Sequence, residues 1–263
     1  MDGLIYFGFA LLGLSVGSFL NLCIDRLPRG GSIVSPPSHC DNCGRRLRPL
    51  ELVPVLSYLL LRGRCRYCGA GIPIRVLIVE LASGTLYALM AWHFDLNLEL
   101  AVALIFTSVF LVIFFIDLEH GLILNAVVFP AIAIAFVFSF FRSGYAEIWP
   151  DLGPGFGLSA MLGGAVGFTI LLLPYIISRG GMGAGDVKLA GLIGLVNGFP
   201  LVLVAMFTGI VAGGAVAISL LLSRVVGRKD AIPFGPFLAV GAVVSIVWGE
   251  RVVDWYQTSF TGL

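Results

Sequence analysis

Long apolar runs separated by short polar breaks make up most of the chain. A membrane span needs roughly 20 apolar residues. By that measure spans are expected near residues 4–24, 76–93, 99–117, 121–141, 157–178, 187–199, 201–222 and 233–250. The sixth is short, and its boundary at Pro200 is soft. Asp117 to Gly121 reads as a tight hairpin between the third and fourth spans. The glycine pairs Gly13/Gly17, Gly163/Gly167 and Gly209/Gly213 have the four-residue spacing that lets helices pack closely through small residues. The pattern predicts an all-α polytopic membrane protein of about eight transmembrane helices. Residues 1–24 form the first helix, 25–75 a small polar domain, and 76–263 a membrane core.

Composition agrees with the pattern. Hydrophobic residues make up 59% of the 263, with a mean hydropathy of +1.02, against about 45–50% apolar in soluble proteins. The N-terminus lacks the basic stretch of a cleaved signal peptide, so a retained first helix is expected. The net charge of +1 says little, but its placement says more. Segment 25–75 holds nine arginines, the loop near 179–188 holds Arg179 and Lys188, and loop 223–230 holds Arg224, Arg228 and Lys229. With eight spans these 14 basic residues share one side, and only Arg142 and Arg251 fall on the other. The basic side is expected to be the cytoplasm. Both termini then face away from it, while Asp117 and Asp186 fall on it. Nothing in the chain suggests a nucleic-acid partner.

Segment 25–75 carries two C-x-x-C pairs, Cys40/Cys43 and Cys65/Cys68, each followed by a glycine, Gly44 or Gly69. Each pair offers two thiolates to one tetrahedral zinc, and the glycines allow the tight turns that aim amides at sulfur. Zinc is expected over redox chemistry or spare thiols, because a cytoplasmic location disfavours disulfides. Four thiolates close the coordination shell, so the zinc is read as structural. His39 is an unneeded fifth ligand, and Cys23 is read as packing.

Asp117 and Asp186 each lie at the end of an apolar run, in Phe114-Phe115-Ile116-Asp117 and Gly183-Ala184-Gly185-Asp186-Val187-Lys188. Ionisable groups bordering hydrocarbon are expensive and mark function. Two carboxylates close together share a proton and can work as acid and base on one water. That suits peptide hydrolysis without a covalent intermediate. Gly183 and Gly185 are expected to let backbone approach Asp186 closely, with Lys188 supporting the loop or reaching the membrane interface. The plainer reading makes Asp186 a helix cap and Asp117 a helix end. A phosphate cradle is rejected, since no strand precedes the loop and no Gly-Lys-Ser/Thr follows. Glu119 and His120 are expected to be solvated, and Glu80 to pair with an arginine.

These residues together resemble the bacterial prepilin peptidase family, the type IV leader peptidases. The resemblance rests on four blocks in the family's order: Gly17-Ser18-Phe19-Leu20-Asn21 with Asp25-Arg26-Leu27-Pro28; the paired C-x-x-C box; Asp117-Leu118-Glu119-His120; and Gly183-Ala184-Gly185-Asp186-Val187-Lys188. It implies a Gly-x-Gly-Asp membrane aspartyl protease with Asp117 and Asp186 catalytic. Its substrate would be a type IV prepilin or type II secretion pseudopilin, cut at the cytoplasmic face of the bacterial inner membrane. The cysteine box further implies N-methylation of the new N-terminus with S-adenosylmethionine, whose binding residues the sequence does not name. Two departures stand out: Ile123-Leu124-Asn125 lacks the family's usual proline, and Arg75-Val76-Leu77 replaces Arg-Tyr-Pro. The arginines of 25–75 suit anionic lipid headgroups better than a basic leader. The rivals are a Gly-x-Gly-Asp protease with another substrate and a transporter with a zinc-stapled loop.

Overall fold

The computed structural model describes residues 2–141, 156–178, 181–224 and 232–261. Arg142, Glu147, Asp151, Arg179, Arg228 and Lys229, which carry part of the charge asymmetry, lie outside the described residues. The described residues form helices and turns with two isolated bridges and no strand. Eight long helices match the eight expected spans: α1 (Asp2–Arg26), α3 (Ile74–His93), α4 (Leu98–His120), α5 (Asn125–Ser139), α6 (Phe156–Ser178), α7 (Ala184–Asn197), α8 (Leu201–Leu222) and α9 (Gly235–Tyr256). The short α2 (Leu56–Leu60) lies within the polar segment. Six of the eight are long and apolar enough to cross a membrane, and α5 is a shorter apolar helix. The fold is that of an all-α polytopic membrane protein.

The two boundaries beside the aspartates moved. α4 runs one turn past Asp117 and stops at Gly121, whose φ of +62° is the left-handed turn that ends helices. The polar Glu119 and His120 do not break a helix; the glycine does. α7 starts at Ala184, so Asp186 sits inside its first turn.

The chain divides into two compact units, Met1–Val112 and Ile113–Leu263. In the first, α1 and α3 pack through a glycine seam. A β-carbon on Gly13 would lie 2.6 Å from Ser83 O, and one on Gly17 2.8 Å from Glu80 Cα. Asn21 Nδ2 donates to Val76 O across the same pair at 3.0 Å. Glu80, buried in α3, accepts the Val55 amide at 2.7 Å, a partner its sequence neighbours did not suggest. Arg75 pairs with Asp25. The two cysteine turns project from this helix pair.

In the second unit α7 is the central helix, packed against α5, α6, α8 and α9. Leu189, Leu192, Ile193 and Val196 are buried. Its 14 residues reach about 21 Å, short of the roughly 30 Å hydrocarbon core. A helix that short reaches its neighbours by close backbone contact. Gly194 abuts Gly163 of α6, and a β-carbon on Gly163 would lie 2.6 Å from Gly198 C. The end of α7 is clamped where Ser159 Oγ donates to Phe199 O at 2.8 Å. α8 and α9 pack the same way, with Gly209 against Phe237 and Leu238.

Candidate active site

Asp117 and Asp186 both belong to the second unit, and both are buried, at 4% and 8% exposure. They are near enough for the charge of one to act on the other. Three local features build this arrangement. Asp117 lies one turn before the C-terminus of α4, and Gly121 N–H closes that turn on Asp117 O at 2.8 Å. Asp186 is the third residue of α7, and the Gly183 amide bonds back to its carboxylate. This is half of a capping box. Gly183, not Asp186, stands at the cap position, and Asp186 lies three residues on, inside the first turn. The third feature is the start of α9, where Gly235 N–H donates to Asp117 Oδ2 at 2.9 Å.

Each carboxylate thus takes a backbone amide at a helix N-terminus, the positive end of the helix dipole. Ile123, in the turn between α4 and α5, is wedged among these parts. A β-carbon on Gly185 would lie 2.8 Å from Ile123 Cβ, and one on Gly235 3.1 Å from Ile123 Cδ1. Gly185 is therefore matched to Ile123. The space at Gly183 faces Asp186 Oδ2, at 3.3 Å from an added β-carbon. Lys188 Nζ donates to Asn125 Oδ1 at 2.9 Å and lies 5.5 Å from the Phe129 ring centroid. It ties α7 to the first turn of α5. Glu119 and His120 are exposed, as expected.

Sequence reading missed Gly235, Ile123 and Asn125. Gly235-Pro236 carries a helix-start signal, but nothing in it indicates which acceptor its amide meets.

The four box cysteines gather in the first unit, their Sγ atoms all within 4.8 Å of one another. A tetrahedral zinc with Zn–S bonds of about 2.3 Å needs sulfurs about 3.8 Å apart. Cys40 and Cys68 are at that separation, 3.8 Å. The two turns are built alike. Gly44 N–H bonds Cys40 O and Gly69 N–H bonds Cys65 O, with both glycines at positive φ. The Ala70 amide and the Asn42 side chain donate to Cys68, holding its thiol down to about 6. Such N–H···S donors favour the thiolate that a metal requires. Arg45 stacks on Tyr67, 4.3 Å from the ring centroid, and so ties one turn to the other. His39 Nδ1 faces Pro37 O, and the four sulfurs form the cluster without it. Cys23 is buried in α1.

Two family models match the chain: the bacterial peptidase A24 N-terminal domain over residues 11–94, and the type IV leader peptidase family over residues 104–218. Among curated relatives, a Bacillus subtilis (strain 168) protein named prepilin leader peptidase/N-methyltransferase is 31% identical, covering 94% of this chain and 95% of its own. Proteins of the same name from Pseudomonas putida and Pseudomonas aeruginosa are 31% and 30% identical, covering 92% and 94% of this chain and 90% and 91% of theirs. No solved structure matches.

Proposed function

The chain belongs to the type IV leader peptidase family, and on that premise we propose that it cleaves the leader from prepilins and N-methylates the new N-terminus. The observation that carries the reading is the pair of buried, mutually interacting carboxylates, each fixed by one backbone amide. Asp117 and Asp186 are the catalytic residues. In this mechanism one carboxyl of the pair carries a proton and the other is ionised. The ionised carboxylate takes a proton from water as the water oxygen attacks the scissile carbonyl carbon. The protonated carboxyl then gives its proton to the leaving nitrogen, which becomes the mature N-terminal amine. Gly183, Gly185 and Lys188 support the site by holding the first turn of α7, which carries Asp186, against Ile123 and Asn125.

Cys40, Cys43, Cys65 and Cys68 would hold a structural zinc that fixes the two turns in register, with no position open to water. S-adenosylmethionine is the methyl donor implied by the reading. The described residues contain no strand, so they offer no strand–loop–helix cradle for it, and no residue is assigned to its seat. The substrate class includes type II secretion pseudopilins. The work takes place at the cytoplasmic face of the inner membrane, a placement supported by the arginines of 25–75. Those arginines also suit anionic headgroups; unchanged binding to anionic liposomes after neutralising Arg45, Arg46 and Arg48 would count against that contact.

The test is a prepilin processing assay in membranes, read by mass spectrometry. Wild type should release the leader and add the mass of one methyl group. Asp117→Ala and Asp186→Ala should each abolish leader release, and Cys40→Ser should impair methylation. Full cleavage by either aspartate variant would overturn the pair.

A further inference from the structure

The first turn of α9 has one amide that its own helix does not satisfy. A helix leaves its first N–H groups without internal partners. Here Pro236 has no N–H, and the Phe237 and Leu238 amides both bond Phe234 O, at 3.1 and 3.3 Å. Gly235 N–H remains, and buried amides rarely go unpaired. It donates to Asp117 Oδ2 at 2.9 Å, across 118 residues of sequence. The contact also fixes the residue type. A β-carbon at 235 would sit 2.6 Å from Asp117 Oδ2 and 3.1 Å from Asp117 Cγ. Its φ of ordinary sign makes no such demand, so the need for glycine comes from the carboxylate. The stretch lies beyond residues 104–218, where the leader peptidase family model matches.

We propose that Gly235 is a positioning residue for leader cleavage: its amide pins Asp117 Oδ2 and leaves the other carboxylate oxygen to face the water. The inference rests on the assignment of Asp117 to that reaction. Gly235 touches no reacting atom itself and acts through the orientation of Asp117. A hydrogen bond to a charged group, once lost, costs about ten- to a hundredfold.

The test compares Gly235→Ala with wild type in full-length protein in proteoliposomes, measuring kcat and KM for leader release and the thermal midpoint. The expected result is a kcat lower by about ten- to a hundredfold at unchanged KM, with some loss of thermal stability. In an Asp117→Ala background the clashing oxygen is gone, and Gly235→Ala should then cost little or no further stability. If Gly235→Ala does not fold alone, recovery of folding in the Asp117→Ala background supports the same coupling. Wild-type kcat in Gly235→Ala overturns the inference, as does an equal stability loss with and without the Asp117 carboxylate. Cleavage that survives Asp117→Ala is a different failure: it removes the reading on which the inference rests.

Discussion

Gly194→Ala perturbs the site without substituting any of its side chains. Gly194 sits eight residues beyond Asp186 on α7, about 12 Å along the axis. An added β-carbon would overlap the Gly163 carbonyl and lie 2.8 Å from Gly164 Cα, where ordinary contact starts at 3.4 Å. These are backbone atoms of α6 and cannot turn aside. The two helices must part by roughly 1 Å, and a misplacement of that size at a reacting group costs about a hundredfold in rate. Stability should fall less. Overpacking costs about 1–3 kcal/mol, offset by roughly 1 kcal/mol from replacing a helical glycine. Gly191→Ala is the matched control on the same helix. Its β-carbon would meet Phe168 at 3.6 Å and the Gly164 carbonyl oxygen at 4.0 Å, both ordinary contacts, so it should cleave normally and be unchanged or slightly more stable. Leader release and thermal unfolding, measured on both variants in proteoliposomes, decide the matter. Normal cleavage by Gly194→Ala, or equal damage from Gly191→Ala, would refute the idea that the glycine seam sets the position of Asp186.

Elemental analysis of purified protein should find zinc in wild type and little in Cys65→Ser; equal zinc in both would rule out the four-sulfur site. In metal-free protein the ultraviolet thiolate signal should begin to rise near pH 6, because Cys68 is held down to about 6 from 9.0. Its folded value is depressed, so its contribution to stability is full above pH 9 and is lost as pH falls through about 6. A first thiolate step near pH 9 would contradict the donors seen at Cys68. Lys188→Met should lower stability by about 1 kcal/mol, and Asn125→Ala should add nothing in that background. Strictly additive losses would show that the two side chains are not coupled.

Much of the architecture was legible because membrane helices must be apolar over a fixed length. The aspartates stood out for the same reason, as charges bordering apolar runs. The cysteine cluster was legible in its spacing, which brings four sulfurs within 4.8 Å. The surroundings of the aspartates were not legible. Gly235 reaches Asp117 through a backbone amide, which every residue except proline carries, so its identity gave no signal. Ile123 is one more apolar residue in an apolar chain, and its role exists only where Gly185 and Gly235 leave room. Glu119 and His120 looked like the tip of a hairpin, yet helix α4 carries both before Gly121 ends it.

The cysteine segment leaves and re-enters the membrane helices at almost one point. Arg75 at its exit pairs with Asp25 at its entrance, and Asn21 holds Val76 one turn deeper. The glycine seam of α1 and α3 continues below without it. Residues 27–73 therefore hang from a closed gate; the Val55 amide reaches down to Glu80, but the glycine contacts between α1 and α3 do not involve the segment. Closing a loop costs only slightly more as it lengthens. The segment can thus grow, shrink or be exchanged as a cassette while the α1–α3 pair stays the same. A chain in which a short turn replaces residues 27–73 would keep the glycine seam of that pair, lose the metal-bearing cassette and leave the buried Glu80 without the Val55 amide.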